Sequence, residues 1–419
     1  EGFQLPFVDW VKKVTTKPVV GVGRFTSPDT MARLIRQGVF DLIGAARPSI
    51  ADPFLPAKIE QGRIDDIREC IGCNVCVSGD MTITPIRCTQ NPTMGEEWRK
   101  GWHPERIPPK GSERRVLVIG AGPAGLEAAR ALGQRGYAVQ LAEAGTELGG
   151  RVTRESRMPG LSEWARVRDW RSGQINRMAN VEVFLGNRMT AQDVLETAAD
   201  DVVIATGAFW RRDGFGRSNT RPIPGFGGPN VFTPDQLYAG EVPPGPVLLF
   251  DDDGFYVGSV LAEWLVARGC AVHMVTPDDA VASWTANTLE FRHIQKRLRT
   301  LGVGIHTALN LVSLDGEAAR LACVYSDREQ TIPCASVVTV TSRLPEDSLY
   351  QDLLAVEDRW SAAGIRSVTC IGDALAPGLI AHAVYSGHRY AREFEAVGVT
   401  EPSAGVVPFR RRIWSPAAG

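Results

Sequence analysis

Residues 114–144 read RRVLVIGAGPAGLEAARALGQRGYAVQLAEA, and this stretch decides the fold. An apolar strand runs into Gly120-x-Gly122-x-x-Gly125, a helix follows, and a second strand ends at Glu143. Strand, glycine turn, helix and an acidic residue about 20 positions on form the context that a dinucleotide-binding fingerprint requires. The glycines let the backbone approach a pyrophosphate at the helix N-terminus. Glu143 is placed to accept hydrogen bonds from a ribose 2′-OH and to disfavour a 2′-phosphate. An ADP-containing ligand is expected here, with a purely structural Rossmann unit as the alternative. Gly149-Gly150-Arg151 is expected to continue the cradle. DVVIATG (201–207) reads as a further strand that brings Thr206 beside the nucleotide. VTCIGDALAP (368–377) puts Asp373 at a strand end before a helix, completing the same unit across the top of its ligand.

Working outward, GPVLLFDDDGFYVGSVLAEWLVARGCAVHMVTP (245–277) repeats the strand–turn–helix–strand rhythm with a damaged turn. Asp251, Asp252 and Asp253 stand where glycines would face a phosphate. Three carboxylates repel phosphate, and Phe255 and Tyr256 would fill the space. The expected result is a second Rossmann-like unit that keeps the fold and has lost NAD(P)H; a carboxylate-lined metal turn is the rival reading. Ser342, where such units usually have glycine, fits relaxed ligand demands.

The segment RECIGCNVCVSGDMTITPIRC (68–88) carries Cys70, Cys73, Cys76 and Cys88. Three thiolates at intervals of three residues wrap one corner of a small inorganic cube, and a fourth closes the far side. Such runs hold [4Fe–4S] clusters. Zinc more often uses two separated Cys-x-x-Cys knuckles, and disulfides need an oxidising compartment, for which no secretory signal speaks. Cys270, Cys323, Cys334 and Cys370 read as small buried hydrophobes. Before the cysteines, KPVVGVGRF (17–25), SPDTMARLIRQG (27–38) and FDLIGAARPSI (40–50) form two successive βα units. They resemble the last two strands of a (β/α)8 barrel, whose loops frequently bind phosphate. Backbone N–H groups of Gly23 and Ala46, with Arg24 or Arg47, are expected at the phosphate of FMN; ordinary surface ion pairing is the alternative for both arginines. Two strands do not make a barrel, so the sequence looks like the C-terminal portion of one.

The 419 residues carry 46 Lys plus Arg against 48 Asp plus Glu, a net charge of −2, which offers no field for nucleic acid. Apolar runs are strand-length, which argues against a membrane span. A cytoplasmic setting is expected. The division expected is 1–67 barrel end, 68–112 cluster segment and linker, 113–220 plus 346–419 ADP/FAD unit, and 221–345 degenerate NAD(P)H-type unit. His103, His273, His293 and His306 read as scattered singles, and His382 and His388 as a poor metal pair. Trp98, Trp102, Trp164 and Trp170 read as packing. FRRRIW (409–414) reads as a solvated charge run.

Taken together, ARPSIADPFLP, CIGCNVC, GEEWRKGWHPE, GAGPAG and IGDALAP resemble trimethylamine dehydrogenase and its relatives that act on dimethylamine, dimethylglycine or histamine. The similarity spans nearly the whole chain and is weakest around 210–350. It implies an α/β protein: the end of an FMN-binding barrel, a cluster segment, and two Rossmann-like domains of the glutathione-reductase type. It implies FMN, a [4Fe–4S] cluster, ADP (or FAD), a methylated amine substrate, a homodimer, and electron-transferring flavoprotein as acceptor. By motif, Cys70, Cys73, Cys76 and Cys88 would ligate the cluster. Gly23, Arg24, Ala46 and Arg47 would sit at the FMN phosphate, and Gly120, Gly122, Pro123, Ala124, Gly125 and Glu143 at ADP. The family's catalytic Tyr, His and Asp motifs are not in this chain and are expected in a preceding part of the barrel. The Cys76–Cys88 spacing is one residue shorter than expected for trimethylamine dehydrogenase. An NADPH-dependent reductase of the 2,4-dienoyl-CoA type, or a non-catalytic electron-transfer subunit, are the alternatives.

Overall fold

The computed structural model describes residues 1–395; FRRRIW lies outside the described residues. Five parallel strands build the first sheet, in the order Ser367–Cys370, Asp201–Ile204, Arg115–Ile119, Ala138–Ala142, Val181–Phe184. Both faces are covered, so the central strand is apolar and buried from residue 116 to 119. Val116 and Val118 pack into one core with Ala128, Leu132 and Ala391. Leu117 and Ile119 pack into another, with Ile204 and Leu353. Helix Pro123–Arg135 starts with proline in its first turn and ends on Gly136 at φ 95°, the left-handed conformation that glycine adopts without strain. A Cβ on Gly125 would lie 1.8 Å from the Gly120 carbonyl oxygen. A Cβ on Gly387, in helix Ile380–Glu393, would lie 2.1 Å from the Ala124 carbonyl oxygen. The absence of side chains at both positions lets the two helices and the strand end meet backbone to backbone.

The second sheet is also parallel, in the order Gly304–His306, Val272–Val275, Val247–Asp251, Ser336–Val340, Val231–Phe232. An antiparallel meander, Leu309–Asp315, Ala318–Cys323 and Glu329–Pro333, lies in the same stretch of chain. Strands Ala208–Trp210 and Arg343–Pro345 pair antiparallel where the chain leaves the first sheet and returns to it. At the start of the chain, Val20–Gly21 pairs in parallel with Leu42–Ile43. Phe25, Leu34 and Phe40 form a small core there, while Val20, Val22 and Leu42 are each more than half exposed. The architecture is mixed α/β with two Rossmann-like units. Among the described residues no helix is long and apolar enough to cross a membrane.

A buried charge network ties the cysteine segment to the first sheet. Arg171 has no exposed surface. Its Nε donates to Glu127 Oε2 at 2.7 Å, and its Nη1 and Nη2 donate to the side chain and carbonyl of Gln90, two residues after Cys88. Arg130 donates to Glu127 at 2.6 Å. His388 donates through Nδ1 to Glu127 at 2.8 Å and accepts at Nε2 from Arg392 at 3.1 Å, which fixes a neutral tautomer. Burial opposes the charge on Glu127, yet Arg130 and Arg171 hold its carboxyl well below the usual range. Burial pushes His388 down to about 4. His388 is thus a structural partner of this network, and Trp98, expected to pack, is instead exposed. Arg171→Met leaves Glu127 and Gln90 short of a partner and is expected to lower stability by about 3–5 kcal/mol. Denaturant unfolding of the variant against the parent protein checks this.

Candidate cofactor sites

Cys70, Cys73, Cys76 and Cys88 all line one cavity, together with Asn74, Thr89 and Gln90. Two left-handed residues, Gly72 (φ 71°) and Asn74 (φ 53°), bend the chain around it, and helix Val75–Met81 then carries Cys76. Thr26 Oγ1 accepts from the Cys70 backbone N–H at 3.0 Å, and Thr89 Oγ1 lies 3.1 Å from Cys73 Sγ. Burial pushes the Cys73 thiol up to about 11. Burial, reinforced by Cys73, takes Cys88 to about 12, and Cys76 is raised by burial and then by Cys70. These thiols are protonated near neutrality, so any metal they hold displaces protons. Among the described residues no three His, Cys, Asp or Glu side chains converge as a site for a single metal ion; the four thiols are distributed around the cavity wall. Cys334 and Cys370 are buried, whereas Cys270 and Cys323 are only half-buried.

At the first nucleotide turn a Cβ on Gly122 would meet nothing within 4 Å, while a Cβ on Gly150 would lie 3.1 Å from the Gly122 Cα. This leaves an open cradle ahead of Pro123 and Ala124 at the helix start. Glu143 is already engaged. Its two oxygens accept from the backbone N–H groups of Ala121 (2.8 Å) and Gly145 (2.7 Å), so it fixes the turn as well as facing it. Thr206 donates its hydroxyl to the Glu346 carbonyl. Arg151 and Asp373 pair with each other at 2.8 Å, and Arg343 donates to the same Asp373 oxygen at 2.8 Å. Arg151 also donates to Glu155 at 2.9 Å, and the Tyr256 hydroxyl donates to Glu155 at 2.8 Å. Sequence reading put Arg151 and Asp373 at a ligand; the structure joins them in a clamp between the two Rossmann-like units.

The acidic turn closes on itself. Asp252 accepts from the backbone N–H and hydroxyl of Ser218 at 2.8 and 2.7 Å. A Cβ on Gly216 would lie 2.4 Å from Asp252 Oδ2, so residues 216–218 occupy the space before the turn. Asp251 has no exposed surface, and among the described residues its Oδ2 has no hydrogen-bond partner. Burial, with Asp253 nearby, raises its carboxyl to about 8. Phe255 is buried, and Tyr256 is partly buried beside it.

Arg24 and Arg47 both reach the cysteine segment. Arg24, itself left-handed at φ 54°, donates to the Cys70 carbonyl at 2.7 Å, and Arg47 donates to the Asn74 side chain. Gly23 lies under Gln4 and Phe25, and Ala46 opens helix Ala46–Ala51. The two βα turns are therefore positioned against the wall of the thiol cavity. Sequence reading missed Thr89, the Trp164–Tyr256 edge-to-face pair near Cys73, and the His273–His306 contact at 3.1 Å. The histidine contact arises because two parallel strands set the two side chains diagonally, His273 opposite Gly304 and His306 opposite Val275.

Residues 114–387 match the pyridine nucleotide-disulphide oxidoreductase family and residues 3–66 the NADH:flavin oxidoreductase / NADH oxidase family. The chain belongs to the former family, joined to a segment of the latter. Its resemblance to the amine dehydrogenases is also found in whole sequences and structures. It is 42% identical to dimethylamine dehydrogenase of Hyphomicrobium sp. (strain x), over 92% of this chain and 56% of that protein. The solved histamine dehydrogenase of Rhizobium sp. 4-9 superposes with TM-score 0.93 at 52% identity, over 99% of this chain and 60% of that one. The 6-hydroxypseudooxynicotine amine oxidase of Pseudomonas geniculata N1 superposes with TM-score 0.92 at 49% identity, over 94% and 59%. The chain thus spans little more than half the length of these relatives.

Asp251 supplies a pH test. Its native carboxyl is raised above the ordinary value of 3.8 to about 8, so the folded state holds a proton that the unfolded chain releases. Its contribution to stability is full below about pH 4 and is lost as pH rises towards 8, at up to about 1.4 kcal/mol per unit. Asp251→Asn is expected to flatten that slope, read as unfolding midpoints between pH 5 and 9.

Proposed function

We propose that this chain carries the cluster and nucleotide sites, and part of the flavin site, of an iron–sulfur flavoprotein amine dehydrogenase. Such an enzyme oxidatively N-demethylates a small methylated amine or N-methyl amino acid and passes electrons to electron-transferring flavoprotein. The observation that carries the reading is the gathering of four thiols around one cavity whose wall is braced by Arg24 and Arg47 from the two barrel-type turns. Cys70, Cys73, Cys76 and Cys88 would hold a [4Fe–4S] cluster, which supplies one-electron transfer when bound. A cluster asks for four thiols around one body, and the shared cavity supports that reading. Gly23, Arg24, Ala46 and Arg47 belong to the turns that would face the phosphate of FMN.

The residues at the first nucleotide turn suit a short nucleotide. The open face of Gly122 accepts close approach of a pyrophosphate. Glu143, held in place by two amides, keeps its remaining lone pairs for a ribose hydroxyl. Arg151 and Arg343 are both engaged by Asp373; ADP is the proposed occupant, with FAD as the longer alternative. The closed Asp251–Asp253 turn disfavours a pyridine nucleotide and so opposes the NADPH-dependent reductase reading. The substrate-oxidising residues, a homodimeric state and a cytoplasmic setting are further parts of the proposal.

The full-length enzyme tests it. Under anaerobic conditions a methylated amine is expected to bleach the flavin absorbance, and NADPH to leave it unchanged; the reverse would sink the proposal. Dithionite-reduced protein is expected to show an iron–sulfur EPR signal, and Cys88→Ser is expected to lose that signal together with most of its iron.

A further inference from the structure

A second polar cavity, of about 210 Å3, opens where the barrel-end segment, the cysteine segment and the first nucleotide unit meet. Its charged wall consists of Lys58, Arg63, Arg68 and Arg130 against Asp66 and Glu105. Three of the four cations are paired with a carboxylate. Lys58 pairs with Asp52 at 2.7 Å and with Glu105, Arg63 with Asp66 at 3.0 Å, and Arg130 with Glu127 at 2.6 Å. Arg68 is different. It is 2% exposed, and among the described residues nothing accepts from its Nε or Nη2. Its guanidinium lies 5.2 Å from the ring centre of Trp170, which Arg130 and Arg171 also approach, at 5.3 and 5.7 Å. Three like charges crowd one indole, and the carboxylate nearest the other two, Glu127, is already shared with His388.

A buried guanidinium without an acceptor is costly, and planar oxygens matched to its fork relieve that cost. We propose that this cavity binds a small oxyanion, phosphate or the carboxylate of a small organic acid, with Arg68 as its main partner and Arg63 at its mouth. The site is separate from the thiol cavity and from the nucleotide cradle. The inference does not depend on the amine-oxidising reading, because it uses no step of that chemistry.

Isothermal titration calorimetry on the purified full-length holoenzyme tests it, with inorganic phosphate and succinate titrated separately at ionic strength held constant with chloride. One saturable binding event per chain is expected. Saturation by phosphate alone identifies a phosphoryl-type occupant, and saturation by succinate a carboxylate. Arg68→Gln is expected to weaken binding about tenfold or more. Arg63→Gln changes a side chain that is 47% exposed and therefore leaves the fold undisturbed; it is expected to weaken binding by a smaller, measurable factor. Absence of a saturable event, or equal binding by parent protein and both variants, would mean an adventitious ion only and would overturn the proposal.

Discussion

The contact on which the rest of the structure depends is Arg171 with Glu127 on one side and Gln90 on the other. Glu127 sits in the helix that follows the glycine turn, and Gln90 two residues beyond Cys88. One fully buried guanidinium thereby fixes the thiol cavity relative to the nucleotide cradle. Taking such charges out of water is expensive unless every donor finds an acceptor, and here each does: five-membered pairing among Glu127, Arg130, Arg171, His388 and Gln90 leaves no member of the set unbonded. Replacing the whole network by apolar side chains of similar volume would remove the desolvation cost, but it would not specify direction. The cost in desolvation is offset by a single relative placement of two cofactor sites.

Much of this was legible in the sequence, for identifiable reasons. The strand–glycine–helix pattern of 114–144 is local, and Gly120, Gly122 and Gly125 have steric roles that no other residue fills. Cysteine spacing is likewise local, so the four thiols were recognisable before their cavity was known. The acidic turn stood out in the sequence, although the raised carboxyl of Asp251 and the means of closure did not: Ser218 and Gly216 lie more than 30 residues upstream.

What stayed hidden depends on long-range approach. A guanidinium reaches far, and its protein partner is set by tertiary packing, so the bonds of Arg24, Arg47 and Arg151 to Cys70, Asn74 and Asp373 were not readable from the sequence. The meander at 309–333 was missed because its last strand, Glu329–Pro333, is mostly exposed and polar and lacks a clear apolar alternation. His273 and His306 meet only through strand register. Glu127 carried a faint signal, an acid three residues before Arg130 in the otherwise small and apolar run GLEAARALG, but its role needed Arg171, which lies 44 residues away.

The route of the chain through its first sheet has a consequence for biogenesis. Strand Asp201–Ile204 stays an open edge until Ser367–Cys370 arrives beside it, and the whole second sheet is made in between. Contacts so distant in sequence form late. During synthesis the nascent nucleotide unit therefore exposes an apolar β-edge while more than a third of the polypeptide emerges, a window in which chaperone cover or rapid collapse of the inserted unit protects it from pairing with other chains.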